Sequence, residues 1–430
     1  MGRGIVLALV GCVGLGSVFA VGCGADATVG NGGSNESPPN GGPFVGEGAS
    51  GGGSTGKNPD GTSFCSATGG IALPNAEQTC TADLAAKTFR FGLCSCSALA
   101  LSGSVQTSSF DSKSGQSNLI GGSIGTNDAF GNAGSVTIGG TLWAQGKVTL
   151  EGASSVAGQL RAGGGIESTG ATHVKGDLFS STPPEGLIIV DGKSNVPASV
   201  SAPCDCSAPL PIASYIDAFE KNNDNAAEKI DPKSLVEFDS KDLTLNCGRY
   251  YFDAITGSSL HLHLKGRTAI FVRGDFDLKG SVTLRLEPGA ELDLFVGDNF
   301  ALSGSTVFGD TDAPARIRVY VAGKQVELAG ATTLAGNLYA PHAKVGHEGS
   351  LTVRGSLFAE SIEAEAALDL VYDEAVLKVQ GCRKPDAGCA TCNDCGGNAC
   401  KGGKCGACTS DADCCAPLRC SGGECLPSVR

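Results

Sequence analysis

Aromatic and basic side chains are scarce in this chain of 430 residues. Aromatic residues make up 6% of it, with one Trp and six Tyr, so there are few of the aromatic platforms that sugar-binding sites favour. Lys and Arg number 31 against 44 Asp and Glu, which gives a net charge of −13. Because no basic field is available to displace counterions from phosphates, this composition excludes nucleic acid as a partner.

The apolar run near the start of the chain is too short to be a convincing membrane span. This run, IVLALVGCVGLGSVFA, follows Arg3 and predicts a secretory signal peptide over residues 1–22. It leads into AVGC, ending at Cys23, which resembles a bacterial lipobox except that Ala20 stands where leucine is usual. The resemblance implies a lipid on Cys23, attachment to a membrane, and a location at the outer membrane or cell surface.

Glycine, in contrast, is abundant, with 65 residues, as tight corners around a thin aliphatic core would require. Residues 23–63 are rich in Gly and Ser and contain almost nothing apolar to bury. We therefore expect a lipidated, disordered tether, with a reach of about 35 Å by random-coil scaling.

Residues 118–181 repeat every eighteen residues, which predicts a solenoid of stacked coils. Apolar residues recur in three registers, and glycines share the same step. Within each repeat the apolar positions alternate as in short strands broken by glycine corners, so each repeat predicts one coil of a parallel β-helix. The repeating residues are Ile120, Ile138, Val156 and Val174; Ile124, Leu142, Leu160 and Leu178; Phe130, Val148 and Ile166; and Gly122, Gly140, Gly158 and Gly176.

Residues 255–380 predict a second part of the same β-helix, with longer loops at its corners. The sides AIFVRG, DLFVGD, VYVAGK, NLYAPH and SLFAES predict one column of small apolar residues, and FDLKG, FALSG and VELAG predict another. The first column holds Val272, Val296, Val321, Ala340 and Ala359, and the second holds Leu278, Leu302 and Leu328. The fold class is therefore all-β.

Between the two parts, residues 182–254 predict an insertion that covers an exposed face. Residues 209–230 carry Ile212, Tyr215, Ile216 and Phe219 at helical spacing, which predicts one α-helix. Cys204, Cys206 and Cys247 bracket the insertion and are expected to pin it to the solenoid. Residues 64–117 carry four cysteines and predict an N-terminal cap over the open end of the β-helix. The alternative is a small disulfide-stapled subdomain beside it.

Cysteine usage predicts an oxidising compartment outside the cytoplasm. Loss of Cys12 with the signal peptide and lipidation of Cys23 leave an even number that can pair completely. Residues 381–430 form a separate cysteine-rich module whose cross-links must supply its stability. Its cysteines from Cys389 onward can close five bridges, which leaves Cys382 to pair with an earlier cysteine. The disulfide candidates are Cys65, Cys80, Cys94, Cys96, Cys204, Cys206, Cys247, Cys382, Cys389, Cys392, Cys395, Cys400, Cys405, Cys408, Cys414, Cys415, Cys420 and Cys425.

Three groups of residues could carry chemistry, and each has a simpler structural interpretation. The Cys389, Cys392 and Cys395 thiols could bind zinc or a cluster, but in an exported chain they favour disulfides. His261 and His263 share a strand face and could bind a metal only if a third ligand came from a neighbouring coil. Asp275, Asp277, Asp293, Asp298, Asp310 and Asp312 are the candidates for paired carboxylates, but Asn299 and Ala301 interrupt their stacking on the next coil. The sequence therefore predicts no catalytic, metal-binding or cofactor-binding residue.

Several motifs resemble those of known families. The order of a CxC, a helix, an Asn-Asp-Asn stretch, CGRYYFD, and an ending in Tyr372-Asp373-Glu374-Ala375 is similar to uncharacterised surface lipoproteins of myxobacteria. The glycine-rich first half resembles the polymer-forming bactofilins, and CTSDADCCAPLRCSGGEC resembles knottin-like and dickkopf-type modules. These resemblances imply a fold and a surface location but no activity.

The function that these observations favour is that of a non-enzymatic, tethered surface lipoprotein with a structural, adhesive or binding role. Its partners would be the membrane through the lipid and an unidentified surface protein or glycan. One alternative is a β-helical polysaccharide-acting enzyme. Another is a bactofilin-like self-assembling scaffold. The cap and the cysteine-rich tail are expected to cover the free ends of the solenoid and so argue against such assembly.

Overall fold

The computed structural model describes residues 64–66, 85, 88–304, 307–330, 332–347, 349–364, 366–378, 399–401, 404–406, 408–413, 418–421 and 424–427. All described residues belong to one compact unit within Ser50–Arg430. The signal peptide, lipobox and tether predicted for residues 1–63 lie outside the described residues. Within the described part of the chain, no helix is long and apolar enough to cross a membrane.

Short strands separated by tight corners dominate the first part of the fold, as the glycine-broken repeat predicts. They are β1 (Leu93–Ser95), β2 (Leu99–Leu101), β3 (Val105–Asp111), β4 (Gln116–Leu119), β5 (Ile124–Thr126), β6 (Phe130–Asn132), β7 (Val136–Ile138), β8 (Leu142–Ala144), β9 (Val148–Leu150), β10 (Ser154–Val156), β11 (Leu160–Ala162), β12 (Ile166–Val174), β13 (Leu178–Ser180), β14 (Glu185–Val190) and β15 (Ser194–Asn195).

Two helices and a second, longer set of strands follow. The helices are α1 (Ile212–Phe219) and α2 (Asn225–Glu228). The strands are β16 (Phe238–Leu245), β17 (Gly248–Phe252), β18 (Ile255–Leu264), β19 (Thr268–Val272), β20 (Phe276–Leu278), β21 (Val282–Leu286), β22 (Leu292–Val296), β23 (Phe300–Ser303), β24 (Val307–Gly309), β25 (Ile317–Val321), β26 (Gln325–Ala329), β27 (Thr333–His347), β28 (Leu351–Ala364), β29 (Leu368–Asp373), β30 (Ala399–Lys401), β31 (Lys404–Gly406), β32 (Leu418–Ser421) and β33 (Glu424–Pro427).

The fold is a parallel β-solenoid, in which strands β1 to β29 form one continuous hydrogen-bonded sheet. Each coil pairs in parallel with the coils on either side, so backbone groups are satisfied between coils and the apolar side chains point inward. The antiparallel hairpin of β3 and β4 departs from this pattern. Residues that share a position on successive coils lie one above another at about 4.8 Å.

The order of the coils in the stack differs from their order in the chain. Strand β1 lies between β5 on one side and β28 on the other, and β3 lies between β7 and β29. The chain therefore enters the solenoid in the middle of the stack and builds coils outward to β14 and β15. It then crosses to the opposite end, begins again at β16 and β17, and builds coils back to the middle at β29.

For the strands from Leu93 onward, this order corrects the prediction that residues 64–117 cap an open end, whereas Cys65 is bonded to Cys247 next to β17. The backbone of Leu93–Ser95 pairs on both edges, with Ile124–Thr126 and with Leu357–Ala359, so this segment is an interior coil. It lacks a free edge because the second part of the solenoid returns to it. The two ends of the stack are instead the β14 end, formed by β14 and β15, and the β16 end, formed by β16 and β17.

The pairing confirms the predicted columns with one exception. Ile124, Leu142, Leu160 and Leu178 stack in turn, as do Phe130, Val148 and Ile166. The exception is the column of Ile138, where Thr107 and not the predicted Ile120 pairs with Ile138 on the neighbouring coil. Ile120 is 56% exposed, because the chain leaves the stack after Asp111 to form the β3–β4 hairpin. In the second part, Val272, Val296 and Val321 stack as predicted, and so do Leu278, Leu302 and Leu328.

The single helix predicted for residues 209–230 is two shorter helices. In α1 the four predicted apolar residues are buried, which is the reason that this segment is helical. The helix ends after Phe219, and α2 begins after Asp224, so the polar stretch between them is not helical. In the cysteine-rich module, β30 pairs with β31 and β32 with β33 as antiparallel hairpins, and a disulfide joins Cys408 to Cys420.

Candidate functional site

The segment that crosses from one end of the stack to the other, residues 196–237, is here called the strap. It lies against one face of the solenoid, where the outward-pointing residue of each coil forms a column. From the β14 end to the β16 end this outer column is Asn195, Phe179, Arg161, Trp143, Gly125, Cys94, Phe358, Tyr339, Tyr320, Phe295, Phe271 and Tyr251. Twelve coils at about 4.8 Å span about 53 Å.

Two disulfides fasten the strap to the middle coil. Cys94 pairs with Cys204 and Cys96 with Cys206, each over a sequence separation of 110 residues. Cys94 and Cys96 are separated by one residue, as are Cys204 and Cys206. The strap therefore runs alongside the middle coil, residue for residue, at this point. A third disulfide, between Cys65 and Cys247, ties the start of the described chain to the β16 end.

These bonds involve six of the seven cysteines between the lipobox and the cysteine-rich tail. The seventh is Cys80, which lies with Cys382 outside the described residues. The expectation that Cys382 pairs with one of the seven therefore now points to Cys80. Cys389, Cys392 and Cys395 also lie outside the described residues, and their disulfide pairing stays a prediction.

Hydrogen bonds fix the strap along its length. Near the β14 end, the indole N–H of Trp143 donates to the carbonyl of Ser201 at 2.8 Å. The side chain of Asn127 accepts from the backbone N–H of Cys204 and donates to its carbonyl, both at 2.9 Å. These paired contacts hold the strap in a single register on the face.

Aromatic stacking continues the attachment toward the β16 end. The ring of Phe219 in α1 stacks on Phe271 with centroids 4.1 Å apart, and Tyr215 meets Phe295 edge to face at 6.3 Å. Below the strap, Phe271, Phe295 and Tyr320 stack on one another at 5.0 and 4.8 Å. Helix α1 therefore covers an aromatic ladder that would otherwise be a large exposed apolar patch.

At the β16 end, the strap supplies side chains in place of a neighbouring strand. Asp224 accepts from the backbone N–H of Arg249 at 2.8 Å, and its own N–H donates to the Arg249 carbonyl at 2.7 Å. Asn225 accepts from and donates to the backbone of Tyr251 in the same way, at 2.9 and 2.7 Å. The Asn-Asp-Asn stretch and the CGRYYFD motif thus form one structural contact, which caps the free edge of β17.

The Tyr372-Asp373-Glu374-Ala375 ending also has a structural role, at the seam where the two parts of the solenoid meet. Asp373 is fully buried, and its carboxylate accepts from the backbone N–H groups of Ser112, Ala315 and Ala375 and from the Ser112 hydroxyl, at 2.6 to 3.1 Å. The Tyr372 hydroxyl donates to the Phe89 carbonyl at 2.6 Å. One carboxylate therefore joins three separate segments of the chain.

Asp293, a candidate carboxylate from the sequence, is part of a buried ion pair. Arg318 donates from Nε and Nη2 to its two oxygens at 2.7 and 2.9 Å, and from Nη2 to Glu291 at 2.7 Å. Burial alone would lower the pKa of Arg318, but the charges of Asp293 and Glu291 outweigh it and raise this pKa well above its usual value. Both Asp293 and Arg318 are fully buried, so this pair is inaccessible to a substrate.

The other candidate carboxylates are dispersed or already engaged. Asp275 accepts from the backbone N–H of Asn299 at 3.0 Å, and Asp277 lies beside Ala301 on the next coil. Asp310 binds Arg316 and the backbone N–H groups of its own loop. Burial would raise the pKa of Asp310, but these donors lower it below its usual value.

The histidines do not converge. His261 and His263 share one strand face, and His263 Nε2 lies 2.7 Å from Glu287. His342 is exposed, and His347 is buried against the Leu328 carbonyl. Among the described residues, no group of three or more His, Cys, Asp or Glu side chains could hold a metal ion.

A groove of ≈ 540 Å³ lies between the β3–β4 hairpin and the glycine corner of the first part. Gly158 and Gly176 form part of its floor, and Asp111, Asp177 and Glu374 are among its walls. Lys378 donates to Asp111 at 2.9 Å, and Glu374 accepts from the Ser109 hydroxyl at 3.3 Å. The acids nearest the hairpin therefore serve to hold it to the last coil.

Comparison with known proteins identifies one domain. Residues 194–379 match a family model described as a domain of unknown function, DUF7305. No curated protein and no solved structure gives a significant match. The matched range runs from β15 through the strap and the second part of the solenoid to the middle of the stack.

Proposed function

We propose that this protein is an exported, lipid-anchored surface scaffold without enzymatic activity, in which a disulfide-locked solenoid holds binding surfaces away from a membrane. The lipid on Cys23 and the tether predicted for residues 23–63 would attach the solenoid to the membrane. The cysteine-rich module would serve as a contact tip for a surface protein or glycan, as its resemblance to dickkopf-type modules implies.

The observation that carries this proposal is the lengthwise cross-linking of the solenoid. Three disulfides bridge residues 110 or 182 positions apart, and the strap touches coils from one end of the stack to the other. Disulfides of this kind indicate an oxidising environment, such as that of exported proteins. A continuous ladder of backbone hydrogen bonds with a covalent strap resists bending and local opening, which suits a mechanical role.

The use made of the charged residues supports a structural role over an enzymatic one. The most buried carboxylates are Asp293 and Asp373. Asp293 accepts hydrogen bonds from Arg318, and Asp373 accepts them from backbone N–H groups. The motifs that resemble the surface lipoproteins, CGRYYFD and the Tyr-Asp-Glu-Ala ending, hold coils together in the same way. A role in folding therefore explains these motifs, and no catalytic role is needed to explain them.

The anchor is expected to join the solenoid at the β16 end. Phe64 is fully buried, and its carbonyl accepts from Arg267 at 3.2 Å, while Cys65 is bonded to Cys247. The chain before Phe64 therefore starts from the β16 end. The β14 end lies on the opposite side of the stack, about 53 Å away by coil spacing.

Cell fractionation and mass spectrometry of the full chain, produced in a Gram-negative host, test this function. We expect membrane association, an acyl mass on Cys23 and no free thiol, with Cys80 and Cys382 in one cross-linked peptide. The Cys23→Ala variant should be released in soluble form with its disulfides unchanged. An unmodified Cys23 would contradict the anchor. Turnover of a polysaccharide that is lost in Asp275→Asn or Asp277→Asn would replace the scaffold with an enzyme.

A further inference from the structure

The two ends of the solenoid expose strand edges on the same face. Strand β14 pairs with β12, and β16 pairs with β18, and neither has a second partner among the described strands. Parallel pairings connect β14 with β24 along this face, through β3 and β29 in the middle of the stack, and β24 contacts β21, which pairs with β18. An unpaired edge of this kind is a template for another chain, and proteins usually cover it or place charges on it.

The apolar surface at the ends is unusual for this molecule. Five large apolar side chains are exposed among the described residues, and three of them lie at or beside these terminal strands: Leu187, Ile189 and Val236. Leu187 and Ile189 are 63% and 54% exposed. The segment GLIIV in β14 carries no charge, although β-rich apolar edges of this type promote association.

The backbone groups at the two ends are complementary. In β14, Asp191 donates to the Val174 carbonyl, so alternate residues bond to β12 and the N–H and C=O groups of Ile188 and Val190 face the open end. In β16, the Leu245 carbonyl accepts from Lys265, so the corresponding groups of Asp242 and Thr244 face the other open end. A parallel ladder then sets Ile188 opposite Leu243 and Val190 opposite Leu245.

The same register also matches the inward-facing side chains. Ile188, Val190, Leu243 and Leu245 all contact the core from the inward side of their strands. It sets Glu185 opposite Ser240 and Asp191 opposite Asn246, so no like charges oppose each other. The junction would therefore continue both the hydrogen-bond ladder and the apolar interior from one molecule into the next.

We propose that the solenoid binds a second copy of itself head to tail, with β14 of one molecule pairing in parallel with β16 of the next. This contact is heterologous and leaves one free edge of each kind, so it adds further copies in a line. This proposal rests on the proposed scaffold function, because a line of copies would make the scaffold longer. At the β16 end, Asp224 and Asn225 already occupy the edge of β17, so pairing is directed to β16.

The test uses the full chain and two proline variants. Proline at position 188 or 244 removes an N–H that faces an open end and leaves the pairing inside the molecule intact. By sedimentation velocity, we expect the unmodified protein to form species that differ in mass by one chain. Its mean mass should therefore rise with concentration. Ile188→Pro and Thr244→Pro should each need roughly tenfold higher concentration for the same mean mass.

Mixing the two variants distinguishes the proposed contact from a symmetric one. Each variant keeps one working edge, and these edges are of opposite kinds. At the concentration where the unmodified protein first associates, an equimolar mixture of Ile188→Pro and Thr244→Pro should therefore form dimers that stop at two chains. A dimer that Thr244→Pro alone forms at the concentration where the unmodified protein first associates would show that two β14 strands meet, and would overturn the head-to-tail contact.

A second pair of variants guards against misfolding. Ile189→Lys places a charge on the exposed side of β14, and Val307→Lys makes the same change on β24, where Val307 is 47% exposed within the stack. We expect Ile189→Lys to weaken association and Val307→Lys to leave it unchanged. A mass that stays at one chain at all concentrations would overturn the assembly. It would leave the scaffold function standing, because that function is tested by the acylation and location of the monomer.

Discussion

The two disulfides of the strap should contribute non-additively to the stability of the solenoid. Removing either one alone should cost much less free energy of unfolding than then removing the other. Each closes a loop of 110 residues in sequence. In the chain-entropy model, closing a loop of about 110 residues removes about 16 cal/mol/K from the unfolded chain, or about 4.8 kcal/mol at 25 °C. Because the bridges lie side by side, once either one is closed the other closes only a small ring of about six residues, worth about 2.2 kcal/mol.

Removing one bridge should therefore cost about 2 kcal/mol, and removing both about 7 kcal/mol. The variants are Cys94→Ala with Cys204→Ala, Cys96→Ala with Cys206→Ala, and all four together. Urea titrations followed by far-ultraviolet circular dichroism measure the change in the free energy of unfolding, with the Cys65–Cys247 bridge retained throughout.

The matched control removes the bridge between Cys408 and Cys420, which lies in the cysteine-rich module. This change should leave the unfolding transition of the solenoid in place. If the two single removals each cost half of the double removal, the effects would be additive and the shared-loop reasoning would be wrong. A double removal that costs no more than a single one would equally refute it.

Three further perturbations test other parts of the fold. Asp373→Ala should lower the free energy of unfolding by about 3 kcal/mol or more in urea titrations, because it leaves buried N–H donors at the seam unpaired. Gly158→Ala should be destabilising by the same measurement, since a Cβ would lie 2.7 Å from the Gly140 carbonyl, whereas Gly131→Ala has open space and should be neutral. The lowered pKa of Asp310 stabilises the fold above its unfolded pKa of about 4, and this contribution is lost as pH falls through the lower folded value. Thermal melts from pH 7 to pH 2 should therefore show a smaller acid-induced loss in Asp310→Asn than in the unmodified protein.

The sequence predicts the solenoid well because one coil follows another with a constant step. Ile124, Leu142 and Leu160 lie above one another since pairing with the previous coil repeats the same local geometry. The position of the first coil could not be predicted in this way. Contacts such as Leu93 with Leu357 join residues far apart in the chain, and no periodicity carries information about them.

Two signals in the sequence could have located the strap. Every coil of the second part carries an aromatic residue between its inward positions, from Phe271 to Phe358, and such a column must be covered by another segment. The shared C-x-C spacing at Cys94 and Cys204 indicates two chain segments running side by side. The buried ion pair of Arg318 has no comparable signal, because Asp293 and Arg318 become neighbours only through the stacking of two coils.

The first coil to be synthesised is one that almost the last coil must complete. Strands β1 to β3 emerge early, but their partners on one side, β28 and β29, follow about 260 residues later at a typical synthesis rate of about 5–20 residues per second. Until then, one edge of the nascent solenoid stays unsatisfied. Completion of synthesis and closure of the fold are thereby coupled, so a truncated chain would lack the coil that locks its beginning.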